Sequence, residues 1–342
     1  MKRHTVIIAA FLLLAFAFAL GAAPAAGDPQ KLSKKGEKLM AKFHKAIQEK
    51  KADEALNLIQ QVIAADPEYA VAYHNQGVLL HQKGQVDEAI ASFEKALQLQ
   101  PDYANAQNAL RQSLFEAGKA ALAAQDFAKS NVYLLKLKDQ PFPGADNQGM
   151  LAFTRFYLGY NFYNLKQYPQ AEENFTACLA LPGLEANTPD LFANATYFMG
   201  MISFVKKDHA RSVEHFKKYL QLFEGKEQKP EFYPFASFFV GNNLFRILEA
   251  EMAKGQVAGM EAKVAEIIPY LEKAIADKVP SEDAHVLLGN CFVYAKNYDK
   301  AVAAYQQLLA AYPQSPELAS YKSFLEQLQK MQQQELKAKK KR

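Results

Sequence analysis

Residues 70–103 read AVAYHNQGVLLHQKGQVDEAIASFEKALQLQPDY. Apolar residues recur every three or four positions on both sides of Gly84, the mark of two amphipathic helices. Gly77 and Ala89 are small, so the two helices can approach closely where they face each other. Tyr73, Leu80, Phe93 and Leu97 supply the bulk that fills the space beside that contact. Gly84 breaks the chain between the helices, and Pro101 ends the second one because its ring cannot continue the hydrogen-bond ladder. A helical hairpin this short leaves an apolar side uncovered, so it predicts neighbours of the same build.

Gly77 serves as a ruler for finding them. Steps of 41 residues lead to Gly118, Gly159, Gly200 and Gly241, and a step of 48 leads to Gly289. Each of these glycines lies in an apolar helical stretch. Units of about 34 residues that grow by sevens keep one helix face in register, since seven residues are close to two turns.

The set Tyr73, Gly77, Ala89, Phe93, Ala96 and Pro101 closely resembles the tetratricopeptide repeat (TPR). The resemblance implies an all-α fold, a right-handed α-solenoid of about seven helix pairs plus a C-terminal capping helix. The repeats fall at 36–69, 70–103, 104–143, 152–185, 193–226, 234–278 and 282–315, with the capping helix at 316–329. Ser315 and Pro316 suit the start of that last helix, as cap and first-turn residue.

The flanks read differently. Residues 1–25 have the build of a secretory signal peptide: Lys2 and Arg3, a 16-residue apolar run over 5–20, and Ala23-Pro24-Ala25 as a cleavage site. The expected address is therefore the periplasm or cell envelope. The run is short of the roughly 20 residues that span a bilayer; an uncleaved anchor is the alternative. Residues 26–35 are a linker. Residues 330–342 form a basic tail with six Lys or Arg against Glu335 alone. A solvated end is the plain reading of that tail, and weak contact with an anionic membrane is the other. The overall charge of +4 gives no reason to expect nucleic acid. Cys178 and Cys291 fall three repeats apart at core positions, so reduced, buried thiols are expected.

No phosphate-binding loop, nucleophile elbow, zinc-binding helix or C-x-x-C motif occurs. His74 and His81 stand about 10 Å apart on a helix, too far to share a metal. Acidic pairs such as Asp87-Glu88 open helices, where they suit the helix dipole. No catalytic residue, metal or cofactor is expected, and the chain reads as a non-enzyme. Some TPR domains hold acidic C-termini of chaperones in a Lys/Asn/Arg clamp. Met40, His44, His74 and Val78 occupy that face here, and Asn242 and Asn290 lack the accompanying lysine, so no such clamp is expected.

In this fold the first helices line a concave groove, through positions six and three before the ruler glycine and one, four and five after it. The fourth repeat places Phe153, Phe156, Tyr160, Tyr163 and Asn164 there. The fifth places Asn194, Tyr197, Met201, Phe204 and Val205, and the sixth Phe235, Phe238, Asn242, Phe245 and Arg246. Aromatic side chains thus collect on a face expected to meet solvent, which marks an interaction site. The competing reading is that the protein's own segments fill the groove. The expected function is a scaffold or adaptor that holds a protein or peptide partner in that groove. A carrier for an apolar small molecule or lipid would use the same residues, and an enzyme would need convergent polar groups.

Overall fold

A computed structural model describes residues 31–143, 146–256 and 258–340. The expected leader and half of the linker lie outside the described residues, as do the last two residues of the basic tail. Among the described residues the chain is all-α, an array of TPR-type helix pairs, and it divides into two compact units, residues 1–167 and 168–342.

The first unit holds α1 (Lys34–Gln48), α2 (Ala52–Ala65), α3 (Ala70–Gln82), α4 (Val86–Leu99), α5 (Ala104–Ala123), α6 (Phe127–Lys138) and α7 (Asp146–Asn164). The helices α1 and α2, α3 and α4, and α5 and α6 pack as antiparallel pairs, and each second helix also packs on the next first helix. Its apolar interior forms one cluster around Phe43 and Ile59 and another around Phe93, Leu114, Leu134 and Leu158, with Leu56 packed against both. Phe93 and Leu134 are fully buried, and each such side chain contributes about 2 kcal/mol.

The second unit holds α8 (Tyr168–Leu179), the short α9 (Leu184–Asn187), α10 (Pro189–Val205), α11 (His209–Gln221), α12 (Tyr233–Ala253), α13 (Met260–Ala276), α14 (Glu282–Tyr294), α15 (Tyr298–Ala311) and α16 (Leu318–Lys340). The pairs are α10 with α11, α12 with α13, and α14 with α15; α8 packs on α10, and α16 closes against α15.

The ruler glycines sit at the contacts between paired helices. A Cβ on Gly77 would lie 2.6 Å from Cε1 of Phe93, and one on Gly289 would lie 2.5 Å from Cε2 of Tyr305. Gly118, Gly200 and Gly241 face Leu134, Phe216 and Leu271 in the same way. The second helices add small residues opposite them. Ser130 and Ser212 stand where the second repeat has Ala89, and each donates a hydrogen bond to the carbonyl of the facing glycine, Gly118 (2.9 Å) and Gly200 (3.0 Å).

The added sevens are turns of helix. The helix α5 has 20 residues against 13 in α3, and its extra turns precede Gly118; α12 has 21, and its extra turns follow Gly241. The turns inside the pairs share one left-handed residue. It is Gly84 in the second repeat, but Lys50, Gln125, Lys207 and Lys296 hold φ between 55° and 59° at the same place. Side chains are strained there by about 1 kcal/mol. Asp126, Asp208 and Asn297 then cap the following helices by accepting from the backbone N–H of Lys129, Arg211 and Lys300.

The last helix differs from the expectation. It starts at Leu318, with Ser315 Oγ accepting from the N–H of Glu317 ahead of it, and it runs on to Lys340 through the stretch read as a tail. Residues 329–340 contain no Gly or Pro and consist of good helix formers.

Cys178 and Cys291 are both buried and reduced, and burial pushes the Cys291 thiol up to about 12. Burial also lowers the pKa of His285, which is 8% exposed on α14 with its ring edge-on to Tyr312, and that of half-buried His215 on α11. Both folded values lie below the unfolded one, so their contribution is intact above about pH 6.5 and is lost as the pH falls through the folded values. Urea unfolding at pH 7.5 and at pH 5.5 should show a lower midpoint in acid, by at most about 1.4 kcal/mol per pH unit for each histidine. His285→Phe should flatten part of that slope; an unchanged slope would mean that His285 takes up its proton as readily folded as unfolded.

Candidate partner-binding face

The helices predicted to line a groove are α7 in the first unit and α10 and α12 in the second. On α7 the aromatic row is only partly covered. Phe153, Phe156, Tyr160 and Tyr163 are half-buried, and Asn164 is exposed with its amide donating to the carbonyl of Tyr160 at 2.8 Å. Phe153 and Phe156 each lie 5.9 Å from the buried Tyr157 ring, and Tyr160 meets Phe127 of α6 edge-on at 6.1 Å. Burial raises the Tyr160 phenol above its ordinary range, so it stays neutral at physiological pH. Leu165, 38% exposed just past the end of α7, continues this apolar face.

In the second unit the expectation needs correction. Tyr197, Phe238, Asn242 and Phe245 are buried, at 6%, 9%, 5% and 1% exposure, so they cannot serve as open anchors. The cause is mutual packing of the aromatics. Tyr197 stacks on Phe232 at 4.8 Å and 17°, and it also meets Phe216 and Tyr219 at 5.3 Å. Phe232 belongs to the segment between α11 and α12, which has no counterpart in the reference repeat. Phe245 stacks on Tyr294 of the next first helix at 5.8 Å and 14°. Phe238 lies 5.4 Å from Phe239, which in turn stacks on Phe216 at 5.0 Å. Here the face is filled by the protein's own rings, the alternative that the sequence had left open.

What remains accessible in this unit is smaller. Asn194, Met201, Phe204 and Phe235 are half-buried, Val205 is 41% exposed, and Arg246 is exposed and paired with Glu249 at 2.8 Å. Sequence reasoning also missed an apolar strip on α6, where Val132 is 57% and Leu135 36% exposed. The signal was present: α6 carries more apolar residues than one buried face needs, with Val132 and Leu135 beside the core positions Tyr133, Leu134 and Leu137.

Among the described residues no group of three or more His, Cys, Asp and Glu could hold a metal ion. No helix among them is long and apolar enough to cross a membrane.

Two family models match the chain, both described as tetratricopeptide repeat, at residues 70–103 and 283–315. They cover the second and seventh repeats, and the helix pairs around them have the same glycine-to-bulk contact. The chain carries tetratricopeptide repeats.

No curated protein matches this TPR chain in sequence. Among solved structures it is similar to pilF of Pseudomonas aeruginosa, at 18% identity and a TM-score of 0.40, over 74% of this chain and 96% of that one. It is similar to YrrB, titled a TPR protein with an unusual peptide-binding site, at 15% identity and a TM-score of 0.36, over 78% and 97%. A MamA structure matches at 18% identity and a TM-score of 0.37, over 60% and 90%.

Proposed function

We infer that the protein is a non-catalytic TPR scaffold of the cell envelope, exported by its leader, which holds a protein or peptide partner on its first helices. The observation that carries this reading is the row Phe153, Phe156, Tyr160 and Tyr163 along α7. Four aromatic side chains stand at helical spacing on one face and remain half-exposed. Rings of this kind are the residues that dominate binding energy at interfaces, at about 2 kcal/mol or more each. The arrangement suits a segment laid along the helix, with Asn164 offering a polar contact at the end of the row. Tyr197, Phe238 and Phe245 support the scaffold and take no part in contact, since they are enclosed.

The test is affinity capture from envelope extract with the mature chain as bait, followed by the same capture with Phe156→Ala and Tyr160→Ala combined. The expected result is one stoichiometric protein that the double variant loses by at least about tenfold while retaining its helical circular dichroism. Native mass spectra showing bound lipid and no protein would replace this reading by the apolar-carrier one.

A further inference from the structure

We propose that the second unit docks on an anionic membrane surface through the edge at which its first helices end. It is independent of the α7 row. The paired helices are antiparallel, so the turns from α10 to α11, α12 to α13 and α14 to α15 all fall on one edge of the unit. Lys207, Lys254 and Lys296 stand exposed at these three turns. Lys207 and Lys296 are in the left-handed conformation, and Lys254 precedes the left-handed Gly255. Three acids of this edge are engaged, while Glu261 in the first turn of α13 stands exposed. Asp208 caps α11, Asp299 accepts from Gln332 at 2.6 Å, and Glu251 pairs with Lys263.

Two features project from the same edge. The extra turns of α12 carry Lys254 about 10 Å beyond the level of a reference repeat. The hydrogen bond from Gln332 to Asp299 places that point of α16 beside the start of α15, so residues 333–340 continue past it for about 12 Å. On α16, Met331 and Leu336 are 39% and 47% exposed, and the sequence from 337 onward is KAKKKR. An apolar residue beside a run of cations is what the headgroup region of an anionic bilayer takes.

The opposite edge has the other sign. Its loops and the start of α14 carry Glu224, Glu227, Glu231, Glu282, Asp283 and Glu317, against Lys226, Lys229 and Lys278. The unit therefore has a charge axis along its helices, which orients it on a negative surface and turns its acidic edge away. Charge complementarity and the exposed Leu336 together select a lipid surface over a soluble polyanion.

The experiment is co-sedimentation of the mature chain with phosphatidylcholine vesicles, with and without phosphatidylglycerol, at low and high ionic strength. Binding is expected only with phosphatidylglycerol, with loss at high salt. Replacing Lys337, Lys339, Lys340 and Lys341 by Gln should weaken it at least about tenfold, and Lys207→Glu with Lys296→Glu by several-fold. Lys278→Glu, on the opposite edge, should leave it unchanged. Circular dichroism confirms that each variant is folded. Equal sedimentation with both vesicle types would overturn the proposal. So would binding to heparin without binding to vesicles, or unimpaired binding by the Lys207→Glu, Lys296→Glu variant.

Discussion

Tyr197→Ala combined with Phe238→Ala should unfold much of the second unit at temperatures where the wild-type chain is intact. Tyr197 is enclosed by four rings, Phe198, Phe216, Tyr219 and Phe232, all within 5.8 Å. Phe238 belongs to the core that runs through Leu271, Cys291 and Leu308. Truncating a buried aromatic to alanine removes its burial and leaves a cavity, at about 3–5 kcal/mol for each site. The sum is comparable with the whole stability of an ordinary domain. Thermal unfolding followed by circular dichroism reads it directly, with exposed Asn164→Ala as the near-neutral comparison. An unchanged midpoint in the double variant would return these two rings to the surface as contact residues.

Gly77→Leu should be nearly as severe in the first unit. Three carbons of the Phe93 ring lie 2.6–2.9 Å from where any Cβ would be, and Phe93 is fully buried. The ring cannot withdraw, because Val78, Ile90, Leu110 and Leu114 belong to the same core. The helices must separate, at about 3 kcal/mol or more. Gly84→Lys is the informative control. That glycine has φ +77° and nothing within 4 Å of its Cβ position, and lysine already holds the same conformation in five other turns, at Lys50, Lys166, Lys207, Lys278 and Lys296. Its expected effect is about 1 kcal/mol. Denaturant midpoints separate the two substitutions, and equal loss in both would mean that backbone freedom and not close approach governs Gly77.

The helix pairing was legible because it depends on single residues whose size has one use. A glycine within an apolar helix, with bulk from the second helix opposite, states a contact, and the recurrence of such glycines from Gly77 to Gly289 places the pairs along the chain. Helix lengthening was legible for the same reason, since added sevens preserve the face. The fate of the groove was not. Spacing says which way Tyr197 and Phe245 leave their helices, and it does not say what meets them. Phe232 sits outside every repeat slot, so nothing in the periodicity placed it on Tyr197. The extension of α16 was missed because a run of lysines was read by charge alone, when Gln, Glu, Leu, Met and Lys are also strong helix formers. Ser130 and Ser212 were legible in principle as small residues in the Ala89 slot, but their bonds to glycine carbonyls required coordinates.

The glycine contacts also set an order of assembly. Gly77 meets Phe93, Gly118 meets Leu134, Gly200 meets Phe216 and Gly289 meets Tyr305, each sixteen positions downstream, while Gly241 must wait for Leu271, thirty positions on. Short closures form early and fast, and a longer one adds a few tenths of a kcal/mol to the entropic barrier. Every other hairpin measured this way can nucleate from its own sequence, and the sixth depends most on a neighbour already in place. Pulse-labelled hydrogen exchange should therefore find the amides of α12 and α13 protected last, which makes this long pair the seam at which the array opens first.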